Sequence, residues 1–296
     1  GNQSRFSIQH SEPPVRKNNH NVRYPIICLP ATMTSQNQQP SNTAIEPVLK
    51  YVTCPGASKT DAQTHRMAYW SWGVADAART VICVHGLSRQ GRDFDVLAQA
   101  LVQRSGGAVR VVCPDVVGRG RSDFLKDPQA YQISTYAADM LALVQEMGLQ
   151  QFDWVGTSMG GLIGMAVCAH APSLGLQVGR LVLNDVGPVI QWQAIARIGQ
   201  YLGRVQYFDN VEQAAQAMWL VSTSFGPHTP AQWLELSRPM VRPATDGSTR
   251  VQLHYDPAIA VPFAQVTEAS ATAGETLLWQ MYDAIAARTL VLRGAE

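Results

Sequence analysis

Residues 154–165 read WVGTSMGGLIGM, and the reading of this stretch decides the fold. A lone serine, Ser158, sits between Gly156 and Gly160, directly after the apolar run FDWVG and directly before the helical pattern MGGLIGMAVCAHA. A glycine-flanked serine by itself is a common accident of composition. Strand, Gly-x-Ser-x-Gly and helix in immediate succession are more specific. They predict a sharp strand-to-helix turn that forces the serine into a strained backbone conformation and exposes its hydroxyl. The flanking glycines are then required, because a side chain at either place would strike the neighbouring strand or helix. The helix N-terminus also brings positive dipole to any oxyanion that develops beside the serine. Ser158 therefore reads as a nucleophile, with the backbone amide of Met159 facing the same reacting carbon's oxygen.

Working outward, short apolar runs alternate with helical patterns. LKYVT and HRMAYWSW alternate apolar and polar residues, as antiparallel strands do. TVICVHG (80–86), VRVVCPD (109–115), FDWVG (152–156), RLVLND (180–185) and RTLVLRG (288–294) read as buried parallel strands. Helical spacing in DFDVLAQALVQR, in residues 136–148 and in the segment after Ser158 separates them. Strands alternating with helices over short connections define an α/β fold, a mostly parallel sheet with helices on both faces. Between Val186 and about Gly274 the strand pattern stops, and helices are expected near 191–202, 211–222 and 231–238. An all-helical insertion in an α/β sheet reads as a cap over the strand ends. The expected division is a disordered or extended tail over 1–45, core over 46–186, helical cap over 187–274 and further core over 275–296.

Composition narrows the function classes. The 296 residues are 46% hydrophobic and 15% charged with a formal net charge of +1, so no basic field favours nucleic acid or an anionic membrane. No apolar run is long enough to span a bilayer. Cys28, Cys54, Cys83, Cys113 and Cys168 form no C-x-x-C pair, which predicts buried free thiols rather than disulfides or a zinc site. Free thiols favour the cytoplasm.

Two further loops accompany the serine. His85-Gly86 ends an early parallel strand, and a tight turn there points the Leu87 amide toward the place the Met159 amide faces. Converging N–H groups make an oxyanion hole. His85 and Gly86 are thus candidate substrate-side residues, with the His85 imidazole shaping the loop. PDVVGRGRSD (114–123) carries Gly118-x-Gly120 but lacks the third glycine and following helix of a dinucleotide loop, so it reads as a turn that Asp115 stabilises.

His-Gly, then Asp-x-x-Gly-x-Gly-x-Ser, then Gly-x-Ser-x-Gly-Gly, each at a strand end, together resemble the α/β-hydrolase family from about residue 50 onward. The resemblance implies a Ser-acid-His triad in that chain order, a cap after the sixth strand, and no metal or organic cofactor. It also places the acid after the seventh strand and the histidine after the eighth. TLVLRGAE (289–296) resembles the seventh strand, so both are expected beyond Glu296, leaving a sheet edge uncovered. Asp185, in LVLNDVGP, is the in-chain alternative for the acid; otherwise it caps the loop into the cap.

The expected function is a cofactor-independent serine hydrolase acting on a small acyl substrate, most simply a carboxylic ester. Lactonase, thioesterase, C–C hydrolase and perhydrolase chemistries stay open. The alternative is a hydrolase-fold protein that binds a ligand or partner without turnover. Trp192, Trp219, Trp233 and Trp279 either pack the cap's own core or line an acyl pocket, and Trp192 is the candidate for substrate contact.

Overall fold

The structure is a computed structural model that describes residues 46–294. The tail expected over 1–45 lies outside the described residues. Strands β1 (Val48–Cys54) and β2 (His65–Trp72) pair antiparallel in full register, Val48 opposite Ser71 and Cys54 opposite His65. The alternating series follows: β3 (Arg79–Val84), α1 (Asp95–Arg104), β4 (Val109–Pro114), α2 (Ile133–Glu146), β5 (Gln151–Thr157), α3 (Met159–His170) and β6 (Gln177–Asn184). The chain then leaves the sheet through α4 (Trp192–Gly199), β7 (Tyr207–Phe208), α5 (Val211–Leu220), α6 (Pro230–Ser237), β8 (Val241–Pro243), β9 (Val251–Leu253), α7 (Ala260–Phe263) and α8 (Glu268–Asp283). It returns as β10 (Arg288–Leu292), parallel to β6.

The main sheet has the order β1-β2-β4-β3-β5-β6-β10. From β4 to β10 every neighbouring pair is parallel, while β1–β2 and β2–β4 are antiparallel. The continuous apolar runs are explained by burial of both sheet faces. Along β3, Val81 and Cys83 join one apolar cluster with Phe94, Ala98 and Val102 of the α1 side, whereas Ile82 and Val84 join the larger cluster with Met140 of α2 and Ile163 of α3. The two-residue period of a strand sends neighbours to opposite faces, and each face meets a helix layer. Cys54, Cys83, Cys113 and Cys168 are buried free thiols. No helix among the described residues is long and apolar enough to cross a membrane.

The all-helical expectation for 187–274 is corrected. This segment contains a three-stranded antiparallel sheet, β7-β9-β8, as well as helices. Strands of two and three residues are too short to show alternation, so the periodic signal fails there. The β8–β9 connection closes where Ala244 N–H donates to Arg250 O at 2.9 Å and Gly247 adopts φ +79°.

Asp115 follows β4 and is fully buried. Its carboxylate accepts the N–H groups of Gly91 and Arg121, both at 2.8 Å, and the Trp70 indole N–H at 3.4 Å. Burial outweighs these bonds and pushes the carboxyl up to about 6. The folded state then holds this proton more tightly than the unfolded chain, so the group's contribution to stability falls as pH rises through about 4 to 6. Asp115→Asn turns one accepting oxygen into a donor facing other donors. The expected cost is about 1–3 kcal/mol in urea unfolding at pH 7, with loss of that pH slope.

Candidate active site

Ser158 lies between β5 and α3 with φ +51° and ψ −116°, a left-handed conformation that side chains rarely adopt. It is exposed, while Gly156, Met159 and Gly160 around it are buried. Close approach explains the glycines. A β-carbon on Gly156 would collide with the backbone of Gly160, and one on Gly160 would collide with the Val84 carbonyl. The turn is pinned from both sides. Ser158 N–H donates to Asn184 O at 2.9 Å, and the buried Trp154 indole N–H donates to Gly160 O at 3.0 Å. Strain of this kind persists only where the surroundings over-determine it.

The His85 turn packs directly against this elbow. A β-carbon built on Gly86 would lie 3.8 Å from Ser158 Cβ, so Gly86 has open contact with the serine. Met159 is the first residue of α3, and its amide has no acceptor within the helix. The His85 ring is fully buried. Its Nε2 accepts the Val116 N–H at 3.0 Å, which leaves the proton on Nδ1 to donate to Gly86 O at 2.7 Å. No face of the ring is open to a substrate. The expectation of substrate contact from His85 is corrected in this respect: the side chain is a strut between the β3 and β4 loops.

Burial drives the His85 pKa down to about 3, against the Gly86 bond and aided by Arg119 and Arg89. A depressed histidine contributes stability above its unfolded value near 6.5 and loses it as pH falls toward about 3. His254, lowered by burial to about 4, acts in the same direction. Against the opposite slope that Asp115 gives between about pH 6 and 4, each of these two protonations should lower urea-unfolding stability by up to about 1.4 kcal/mol per pH unit below pH 6.5. His85→Gln should remove one share of that slope.

One residue that sequence reasoning missed ties these loops together. Arg119, read only as the middle of a glycine turn, is fully buried. Its Nε donates to Leu87 O at 2.8 Å, and its Nη1 donates to Val117 O at 2.7 Å and Tyr136 Oη at 3.0 Å. Nη2 reaches Met159 Sδ at 3.7 Å, and the guanidinium lies over the Tyr136 ring at 4.9 Å. A single cation thus touches both residues expected to offer oxyanion amides. The available signal was a charged residue set between two glycines just after the apolar pair Val116-Val117.

Asp185 directly follows β6 in a left-handed conformation, φ +55°, and is exposed. Its N–H donates to Leu292 O at 2.8 Å, and its Oδ1 accepts the Gly294 N–H at 3.4 Å. It adjoins Asn184, whose carbonyl holds the Ser158 amide. Among the described residues no histidine hydrogen-bonds Ser158 or Asp185. His65 pairs with Asp139, His170 bonds Ala166 O at the end of α3, and His228 bonds Gly226 O. Trp192 opens α4 half-buried and has no hydrogen bond or ring contact with the elbow. Trp233 is buried, donates to Ala215 O at 2.7 Å and meets Trp219 edge-on at 5.0 Å, so these two pack against each other.

Residues 79–202 match the family described as the alpha/beta hydrolase fold. A 3-hydroxybutyrate-oligomer hydrolase of Cupriavidus necator is 45% identical over 252 residues, covering 84% of this chain and 82% of that protein. The chain belongs to the alpha/beta hydrolase fold family. A 3-oxoadipate enol-lactonase of Acinetobacter baylyi is 30% identical over 46% of this chain and 49% of its own length. A crystal structure of an alpha/beta hydrolase from Novosphingobium aromaticivorans superposes with a TM-score of 0.63 at 27% identity, covering 84% of this chain and 91% of that one. Hydrolase activity is the general function these relationships support.

Proposed function

We propose that the protein is a serine hydrolase that cleaves the ester bonds of short 3-hydroxybutyrate oligomers. The observation that carries the reading is Ser158, exposed at φ +51° on a turn whose glycines admit no side chain. The substrate class rests on the 45% identity to the Cupriavidus enzyme over most of both chains.

In this reading the Ser158 hydroxyl attacks the ester carbonyl carbon, and its proton passes to a base. The tetrahedral oxyanion is held by the amides of Leu87 and Met159. Collapse expels the alcohol, itself the hydroxyl end of a shortened oligomer, and leaves an acyl-serine. Water then attacks that ester and releases the free acid. Asp185 is the carboxylate assigned to orient the base, which is not assigned to any described histidine. Residues 187–274 act as the cap over the strand ends.

The test is fluorophosphonate labelling of the full-length protein, with Ser158→Ala as control. Labelling of the wild type alone, together with release of 3-hydroxybutyrate from its dimer and trimer, supports the proposal. A folded full-length protein that takes no label overturns it and favours ligand binding without turnover.

A further inference from the structure

The fold assembles a second cluster of reactive side chains three strands away from β5. Cys54 ends β1 and stands directly opposite His65, which opens β2. Opposed residues of an antiparallel pair project to the same face, so thiol and imidazole are neighbours. Asp139 of α2 meets them there, its Oδ2 3.0 Å from His65 Nε2. All three residues are buried, and their donor atoms lie within 4.8 Å of one another.

We propose that Cys54, His65 and Asp139 bind a thiophilic divalent cation of the zinc class, which staples the β1–β2 edge of the sheet to α2.

The donor set is the first argument. Thiolate, imidazole and carboxylate together select zinc-like ions over magnesium or calcium, which take oxygen alone. Spacing is the second. Two ligands bound at about 2.0–2.1 Å in a tetrahedron stand about 3.3 Å apart, close to the separation already held by His65 and Asp139. The third is a buried ring nitrogen, His65 Nδ1, left without a partner although His65 Nε2 and the Cys54 thiol both hydrogen-bond Asp139. Room is the fourth. A cavity of about 220 Å³, lined by Pro55, Gly56, Ala57, Ser134, Thr135 and Asp139, reaches the cluster at Asp139 and leaves room for water on that side.

Binding displaces the Cys54 thiol proton to solvent, the cation takes the sulfur and nitrogen lone pairs, and nothing is oxidised or reduced.

The experiment adds Co²⁺ to the full-length protein after treatment with a chelator. The expected result is one equivalent bound per chain, with a thiolate-to-cobalt charge-transfer band and the visible bands of a four-coordinate ion, all displaced by Zn²⁺. Cys54→Ser should lose the charge-transfer band. Asp139→Asn removes a direct ligand and should weaken binding by more than the roughly 10-fold that loss of an outer-shell partner costs. His228→Gln should bind as the wild type does. No charge-transfer band in the folded wild type overturns the proposal without recourse to any variant. An unchanged band in Cys54→Ser overturns it too, by assigning the thiolate elsewhere. Should Cys54→Ser fail to fold, Zn²⁺ must still raise the wild-type melting temperature and leave that of His65→Gln unmoved.

Discussion

Ser158→Ala is expected to lower turnover of 3-hydroxybutyrate oligomers by about 10⁴–10⁶-fold, the loss typical of removing a nucleophile that works as part of a triad. The fold should survive. Alanine meets the same left-handed strain that serine already bears at φ +51°, and the hydroxyl is exposed rather than bonded within the core. The stability change should fall within about 0.5 kcal/mol, as for surface positions generally. Both halves matter. Lost activity with an unchanged melt identifies chemistry at this atom, whereas lost activity in an unfolded variant identifies only a fragile turn. A folded Ser158→Ala protein within tenfold of wild-type turnover would falsify the nucleophile assignment. Circular dichroism melts and product release from the trimer measure the two quantities independently.

Arg119→Met is expected to damage both stability and rate. The guanidinium donates to Leu87 O, Val117 O and Tyr136 Oη in a fully buried setting. Methionine fills much of the volume but leaves three acceptors without donors, and each such buried group costs about 1–3 kcal/mol. Allowing for relaxation, the whole change should be about 3–5 kcal/mol in urea unfolding. The protein that remains folded should lose about 10²–10³ in kcat, because the Leu87 turn is no longer held against the elbow. KM should move far less, since no contact to bound substrate is removed. Arg119→Lys tests the geometry: it keeps the charge but offers no planar fork, so it should recover part of the stability and little of kcat. A kcat unchanged in either folded variant would show that Arg119 supports the core alone.

The two predictions differ in how visible their residues were. Ser158 is announced by local context, because strand, glycine turn and helix are contiguous and each leaves its own period. The parallel core was legible for the same reason: β3 to β6 are long enough for apolar runs to stand out from the helices between them. The small β7-β9-β8 sheet was not, because two- and three-residue strands carry no period. His85 was read both as the shaper of its loop and as a substrate-side residue, and nothing in the string HG shows that both ring nitrogens are consumed by backbone. Arg119 was hidden because its partners come from the β3 loop, its own turn and two helices. The Cys54, His65 and Asp139 cluster was hidden most deeply. The absence of metal-ligand spacing in the sequence argued against such a group, but 74 positions separate His65 from Asp139 and only the packing of α2 on the hairpin joins them.

The contact between Gly160 and the Val84 carbonyl has a consequence for how this protein fails when heated. With no side chain between them, the first turn of α3 rests on the end of β3, and that strand continues straight into His85, Gly86 and Leu87. Ser158 and the Leu87 turn are thereby mounted on one rigid block, unable to drift apart while the sheet stands. Inactivation by heat should then track collapse of the sheet itself, and any earlier decline would have to originate in the segment between β6 and β10. The chemistry would be the last thing to loosen.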